Sequence, residues 1–172
     1  MNSNFTRRQF IRRPALAAGA ATLGVPALLR GRDLNGKLNI AAIGAGGKGA
    51  SDTDHCAAEN IVALCDADRN RCAGQITKYP QAKFYQDFRK MFDAMGDSID
   101  AVLVSTPDHF HAVAATAALS LGKHLYCQKP LTQTIYEARQ LRDLARRQKV
   151  ITQMGNQGSA EDGLRRAVET IQ

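Results

Sequence analysis

Apolar and polar residues alternate in blocks from Lys37 onward. Leu38 to Ile43 is an apolar run rich in Ile and Ala, the composition of a buried strand. Ala50 to Ala58 follows with helical spacing. Ile61 to Cys65 is a second apolar run, and a polar helix is predicted over Asn70 to Lys78, stopped by Tyr79-Pro80. Lys83 to Tyr85 reads as a short strand. Phe88, Met91, Phe92 and Met95 then recur at helical spacing, a stripe that signals core packing. Asp100 to Ser105 is the strongest strand signal and ends at Thr106-Pro107. His111 to Leu121 is an Ala-rich helix, with Gly122 placed to end it in the left-handed conformation. His124 to Cys127 is a strand running into Gln128-Lys129-Pro130. Thr134 to Gln148 is a long charged helix with Ile135, Ala138, Leu141, Leu144 and Ala145 on one face. Val150 to Met154 is a further strand, ended by Gly155-Asn156-Gln157-Gly158, and Glu161 to Ile171 reads as helix.

Strands therefore alternate with helices throughout. That order predicts an α/β fold, a doubly wound parallel sheet with right-handed crossovers and helices on both faces. Ligands of such sheets bind outside the carboxyl ends of the strands. The polar residues gather at those ends: Asp66, Ser105 to His111, Gln128-Lys129 and Asn156-Gln157.

The stretch Lys37 to Gly49, KLNIAAIGAGGKG, carries the clearest chemistry. Strand, glycine turn and helix give the context in which G-x-G-x-x-G, here Gly44, Gly46 and Gly49, becomes a dinucleotide signal rather than an ordinary tight turn. Gly44 allows the sharp turn, Gly46 lets a pyrophosphate approach the backbone, and Gly49 lets the helix pack close to the strand. The N–H groups of the first helical turn would face the phosphates. Asp66 lies 22 positions after Gly44, at the end of the second strand, where a carboxylate accepts from the adenosine ribose hydroxyls. Its charge would repel a 2′-phosphate, so NAD is expected over NADP. The nearby Arg69 and Arg71 moderate that preference.

Net charge changes the picture only at the N-terminus. The formal charge of +7 suggests nucleic acid at first, but residues 1–32 hold six arginines and no acid. The remaining 17 basic residues face all 16 acidic ones, so no electrostatic footprint for nucleic acid is left in the globular part. Thr6 to Arg12, followed by a mildly apolar run from Pro14 to Leu29, has the architecture of an export signal. The run is too short and too rich in Ala and Gly for a comfortable membrane span. The alternative is a basic tail or an uncleaved anchor. Paired Arg7 and Arg8, with Phe10 after them, resemble the twin-arginine signal, which makes the twin-arginine translocase a partner and places the protein outside the cytoplasm. Cys56, Cys65, Cys72 and Cys127 show no C-x-x-C pair and no metal spacing. Cys65 and Cys127 fall in predicted strands, where a free thiol serves as a small hydrophobe.

Four pieces taken together resemble the nucleotide-binding domain of the Gfo/Idh/MocA family of NAD(P)-dependent oxidoreductases, especially its exported bacterial members. They are AAIGAGGKG, the strand ending in Cys65-Asp66, VLVSTPDHFHAVAATAALSLGKHLYCQKPL and TQMGNQGS, together about residues 38–160. With the export signal and linker already read over 1–32, the resemblance implies a Rossmann-like domain over 33–158 and, at 159–172, the start of a C-terminal substrate domain that the chain does not continue. The sequence departs from the family at Gln128, where Glu usually precedes the Lys-Pro.

Carried over by position, Gly44, Gly46, Gly47, Lys48, Gly49 and Asp66 are implied cofactor contacts, with Lys48 giving mainly its backbone N–H. Thr106 and Pro107 are implied beside the nicotinamide ribose, with His111 and Gln128 also on the cofactor side. His109, Asn156 and Gln157 are implied at the substrate edge. Lys129 is the implied catalytic residue, hydrogen-bonding the reacting hydroxyl. Each has a plainer alternative: His111 satisfying helix-terminal backbone groups, Lys129 a solvated surface lysine, Asn156 a turn residue. Asp108 is expected simply to cap the helix. The family reading implies hydride transfer between NAD and a sugar or polyol-like substrate, with no metal. A neighbouring reading is a glycosidase that uses bound NAD, and a third is a domain that binds NAD and catalyses nothing. On that third reading the 172-residue chain alone shows no turnover, unless a homo-oligomer completes the pocket.

Overall fold

The computed structural model describes residues 36–171; the arginine-rich N-terminal segment and the export signal read from it lie outside the described residues. Six strands, β1 (Asn39–Ile43), β2 (Asn60–Cys65), β3 (Lys83–Tyr85), β4 (Ala101–Val104), β5 (His124–Gln128) and β6 (Thr152–Gly155), pair in parallel in the order β3-β2-β1-β4-β5-β6. The helices are α1 (Lys48–His55), α2 (Ala73–Lys78), α3 (Phe88–Met95), α4 (His111–Ser120), α5 (Ile135–Gln148) and α6 (Asp162–Ile171). This is the doubly wound sheet that the alternation of elements predicts. From β1 the chain builds outward on one side and then returns to build β4 to β6 on the other, so the strand order reverses between β1 and β4.

The central strands lack two-residue alternation because both faces are covered. In β1, Ala41 and Ala42 are buried on opposite faces. One core layer gathers Met91, Ile99, Val102, Leu119 and Leu125; the other gathers Ile40, Ile61, Leu64, Cys72 and Leu103. The Phe and Met stripe of α3 packs into the first layer. Phe88 meets Phe92 and Phe110 edge-to-face, with centroids 6.2 and 5.8 Å apart.

Short-range chemistry sets the helix ends. The Asp87 side chain accepts from the Arg89 N–H at 3.0 Å at the start of α3. Thr134 and Glu137 form a reciprocal capping box on α5, at 3.2 and 2.9 Å. Gly122, with φ of 68°, ends α4 as expected.

Three sequence expectations shift. Ile135 is 73% exposed and not on the packed face of α5, because it sits in the first turn, beyond the reach of the core. The last strand begins at Thr152 rather than Val150, because Lys149 ends α5 in the left-handed region (φ 55°) and Val150 N–H closes back onto Ala145. Asp108 does not cap α4. Phe110 is the N-cap and receives no side-chain bond, while the Phe110 N–H donates to the Pro107 carbonyl at 2.8 Å. Cys65 and Cys127 are buried and free, and burial first of all pushes both thiols up to about 12. They serve as small core hydrophobes.

Candidate functional site

The site is built where the strand order reverses. After β1 the chain turns at Gly44, whose φ is 77°. The N–H groups of Gly44 and Ala45 both donate to the Cys65 carbonyl, at 2.8 and 3.1 Å, which anchors the turn to β2. A Cβ at Gly44 would lie 2.7 Å from the Ser105 carbonyl oxygen, and one at Gly49 would lie 1.8 Å from the Gly44 carbonyl oxygen. Gly49 thus brings the first turn of α1 against the glycine turn itself. Gly47 is the N-cap of α1 and needs its positive φ of 57°.

Asp66 closes the turn from the side. Its Oδ2 accepts from the Gly46 N–H at 2.9 Å and its Oδ1 from the Asp68 N–H at 3.0 Å. Asp68 accepts in turn from the N–H groups of Asn70 and Arg71, at 2.9 and 3.3 Å. Arg71 packs across the glycines, its Cγ 2.8 Å from where a Gly46 Cβ would stand. Gly46 is therefore needed for Arg71 as well as for any ligand.

A cavity of about 680 Å³ opens at this point. Of the residues singled out from the sequence, Gly44, Gly46, Lys48, Asp66, Thr106, Pro107 and His109 line it. His109, expected at the substrate edge, belongs to this wall. Thr106 Oγ1 is buried without a hydrogen-bond partner among the described residues. An unpaired hydroxyl is costly to bury, and it stands in a residue of the cavity wall. A large cleft lined by Gly44 and Gly46, with Asp66 and Thr106 in its wall, fits a dinucleotide.

Other residues do not reach the cavity wall. Gly47 and Gly49 shape the turn without lining the cavity. His111 is 1% exposed; its Nδ1 lies 2.6 Å from the Pro130 carbonyl oxygen and its Nε2 2.8 Å from that of Thr106. The ring lies between the carbonyls at the exits of β4 and β5 and bridges them, a neutral imidazole donating its one N–H to one of the two. Gln128 is buried too and turns under α1, where its Nε2 donates to Asp52 Oδ2 at 2.9 Å. Lys129 is exposed at the carboxyl end of β5, its N–H directed to Gln128 Oε1 at 3.3 Å. Asn156 begins a 3₁₀ turn, Gln157–Ser159, and acts there as a turn residue. Gln157 Nε2 donates to the Tyr126 hydroxyl at 2.7 Å.

Two residues missed from the sequence matter here, Asp52 and Tyr126, together with Ser105, which the sequence placed only in the polar cluster after β4. Asp52 on α1 pairs with Lys48 one turn earlier and accepts from Ser105 Oγ at 2.7 Å. The Lys48–Asp52 spacing of four was the available signal, because it sets the two side chains side by side on one face of α1. Among the described residues no group of three His, Cys, Asp or Glu side chains stands close enough to hold a metal ion.

The sequence model of the GFO_IDH_MocA family, described as an oxidoreductase family with an NAD-binding Rossmann fold, matches residues 38–156. Inositol 2-dehydrogenase 1 of Saccharopolyspora erythraea is 35% identical over 101 residues, which is 54% of this chain and 29% of that protein. A glycosyl hydrolase family 109 protein of Solibacter usitatus is 33% identical over 119 residues, 62% of this chain and 27% of that protein. The crystal structure of myo-inositol 2-dehydrogenase from Lactobacillus plantarum superposes with a TM-score of 0.69 at 24% identity, covering 78% of this chain and 41% of that one, a likeness of fold. The chain thus spans under a third of the length of these curated relatives.

Proposed function

This chain belongs to the Gfo/Idh/MocA oxidoreductase family with its NAD-binding Rossmann fold, and from that premise we propose that its described domain holds NAD for the oxidation of a sugar or polyol-like alcohol. The observation that carries this reading is the cleft lined by Gly44, Gly46, Asp66 and Thr106, with Asp66 tied to the Gly46 N–H. The turn from Gly44 to Gly49 and the first turn of α1 would take the pyrophosphate. Asp66 would accept from the adenosine ribose, and Thr106 with Pro107 would border the nicotinamide ribose. When bound, NAD supplies the oxidising power, taking two electrons and a hydrogen from a carbinol carbon.

The protein's own work is to orient and to handle the proton. Lys129 stands at the carboxyl end of β5 and is the residue we assign to the alcohol hydroxyl, as hydrogen-bond donor or, once deprotonated, as base. The inositol 2-dehydrogenase relatives support a polyol as substrate. The glycosyl hydrolase relative favours a second reading, in which the same bound NAD serves glycoside cleavage.

Calorimetric titration of NAD into the whole chain is the first test, followed by NADH absorbance with myo-inositol, other polyols and aryl glycosides. Saturable one-site NAD binding is expected, and its absence would overturn the reading. Where turnover is observed, Lys129→Ala is expected to lower it by about 10²–10⁴-fold with NAD affinity nearly unchanged, the usual size of a lost proton-transfer group.

We also propose export through the twin-arginine pathway, supported by Thr6 to Arg12 of the sequence alone. A fusion of residues 1–36 to a reporter is expected outside the cytoplasm. Arg7→Lys with Arg8→Lys should hold it inside, and undiminished export of that double variant would remove the assignment.

A further inference from the structure

Asp52 is only 5% exposed, yet it carries a carboxylate. Oδ1 pairs with the Lys48 ammonium one helical turn away. Oδ2 accepts from Ser105 Oγ at 2.7 Å, after β4, and from Gln128 Nε2 at 2.9 Å, at the end of β5. An ionised carboxylate has no proton to offer, so each partner must donate. Burial alone would push Asp52 up; the bonds from Lys48, Ser105 and Gln128 outweigh it and hold the carboxyl below the ordinary carboxylate range. The other titratable groups that feel this charge are Tyr126 on β5 and Cys56 beside α1, both pushed up mainly by burial and further by Asp52.

The Gln128 amide then has one way to lie. With Nε2 on Asp52, Oε1 faces the Lys129 N–H at 3.3 Å. The far side is closed by Gly155 of β6, where a Cβ would stand 2.7 Å from that same Oε1. A glutamate at this position would set two carboxylates face to face at 2.9 Å, and like charges so placed cannot both ionise without a large penalty.

We propose that Asp52 is a positioning residue: its buried carboxylate demands an amide rather than a carboxylate at position 128 and, through that amide, fixes the backbone of Lys129. The inference rests on the dehydrogenase reading only for the use made of Lys129.

The test is a cycle of whole-chain variants, Gln128→Glu, Asp52→Asn and both together, with Gln128→Ala as the uncharged control. Thermal midpoints are measured from pH 5 to pH 8, with the Lys129 amide resonance followed by NMR. Facing carboxylates raise the folded-state pKa of the pair above its unfolded value. Their contact therefore holds at low pH, with a proton between them, and is lost as pH rises through that raised value. Gln128→Glu is expected to melt about 10 °C below the parent at pH 8 and within about 3 °C of it at pH 5. Gln128→Ala should show a deficit that does not change with pH. The double variant, again with one carboxylate and one amide, should recover most of the loss at pH 8, lose the pH slope and return the Lys129 amide toward its parental shift. If Gln128→Glu folds only at low pH while the double variant folds throughout, the proposal is supported in the same way. A parental midpoint for Gln128→Glu at pH 8, failure to fold at pH 5 as well, or a double variant no better than the single would overturn it. If the cycle behaves as expected and the parent gives no heat with NAD, only the cofactor reading falls.

Discussion

Gly49→Ala is expected to destabilise the domain by about 3–5 kcal/mol, among the largest effects of a single added methyl. The new Cβ would stand 1.8 Å from the Gly44 carbonyl oxygen and 3.1 Å from Ser105 Cβ. The first of these atoms is backbone and cannot swing aside. Gly44 is itself held at φ 77° by its bond to Cys65 and its contact with Ser105. Relief therefore requires α1 to back away from the sheet. That movement would break the bonds from Ser105 and Gln128 to Asp52. It would also open the turn that faces the cavity, so NAD binding should vanish with stability. A marginal domain holds only about 5–15 kcal/mol in total, and the loss takes a large share of it. Gly74→Ala makes the contrast. Nothing lies within 4 Å of a Cβ there, inside α2. That change should raise stability by about 0.5–1 kcal/mol through the entropy of the unfolded chain. Urea denaturation followed by circular dichroism reads both. Equal midpoints for Gly49→Ala and the parent would mean that the close approach of turn and helix is not real.

The contrast between those glycines bears on what the sequence could show. Local signals carried the sheet: apolar runs at β1, β2 and β4, a left-handed stop at Gly122, and a glycine turn with Asp66 at the right distance after it. Each of these depends on neighbours within a few positions or on one standard crossover. Asp52, Ser105 and Gln128 could not be joined that way. Their bonds span 53 and 76 positions, and only the folded sheet brings the ends of β4 and β5 under α1. His111 stayed open between two readings for the same reason. Near the start of a helix it reads as a ligand or as a partner for backbone groups, and the two carbonyls beside it come from the exits of two different strands. Ile135 kept the helical period and still faces outward, because periodicity gives the phase of a helix and not where its packed surface ends.

The second large effect is in cofactor choice. The parent chain is expected to bind NAD at least about tenfold more tightly than NADP, a difference of about 1.4 kcal/mol. Asp66 carries it. Its carboxylate lies on the cavity wall at the end of β2, where a 2′-phosphate would bring a second negative charge. The two arginines nearby are not equivalent. Arg69 stacks on the Phe84 ring with its guanidinium 5.0 Å from the centroid, whereas Arg71 lies along the cavity wall over the glycines. Asp66→Ala removes the carboxylate proposed to meet the ribose and, with it, the tie to the Gly46 N–H. NAD affinity should fall about 10–100-fold, the cost of hydrogen bonds to a charged acceptor. NADP affinity should hold or rise, because Arg71 is then free to meet the phosphate, so the two cofactors should come within about threefold of each other. Asp66→Asn separates charge from shape. It keeps one acceptor for the turn and loses the repulsion, so selectivity should fall as far as in the alanine variant while NAD affinity falls less. Calorimetric titration of all three chains with both cofactors decides the matter. NADP binding by the parent as tight as NAD, or an unchanged ratio in Asp66→Ala, would show that Asp66 holds the glycine turn and never meets the ribose.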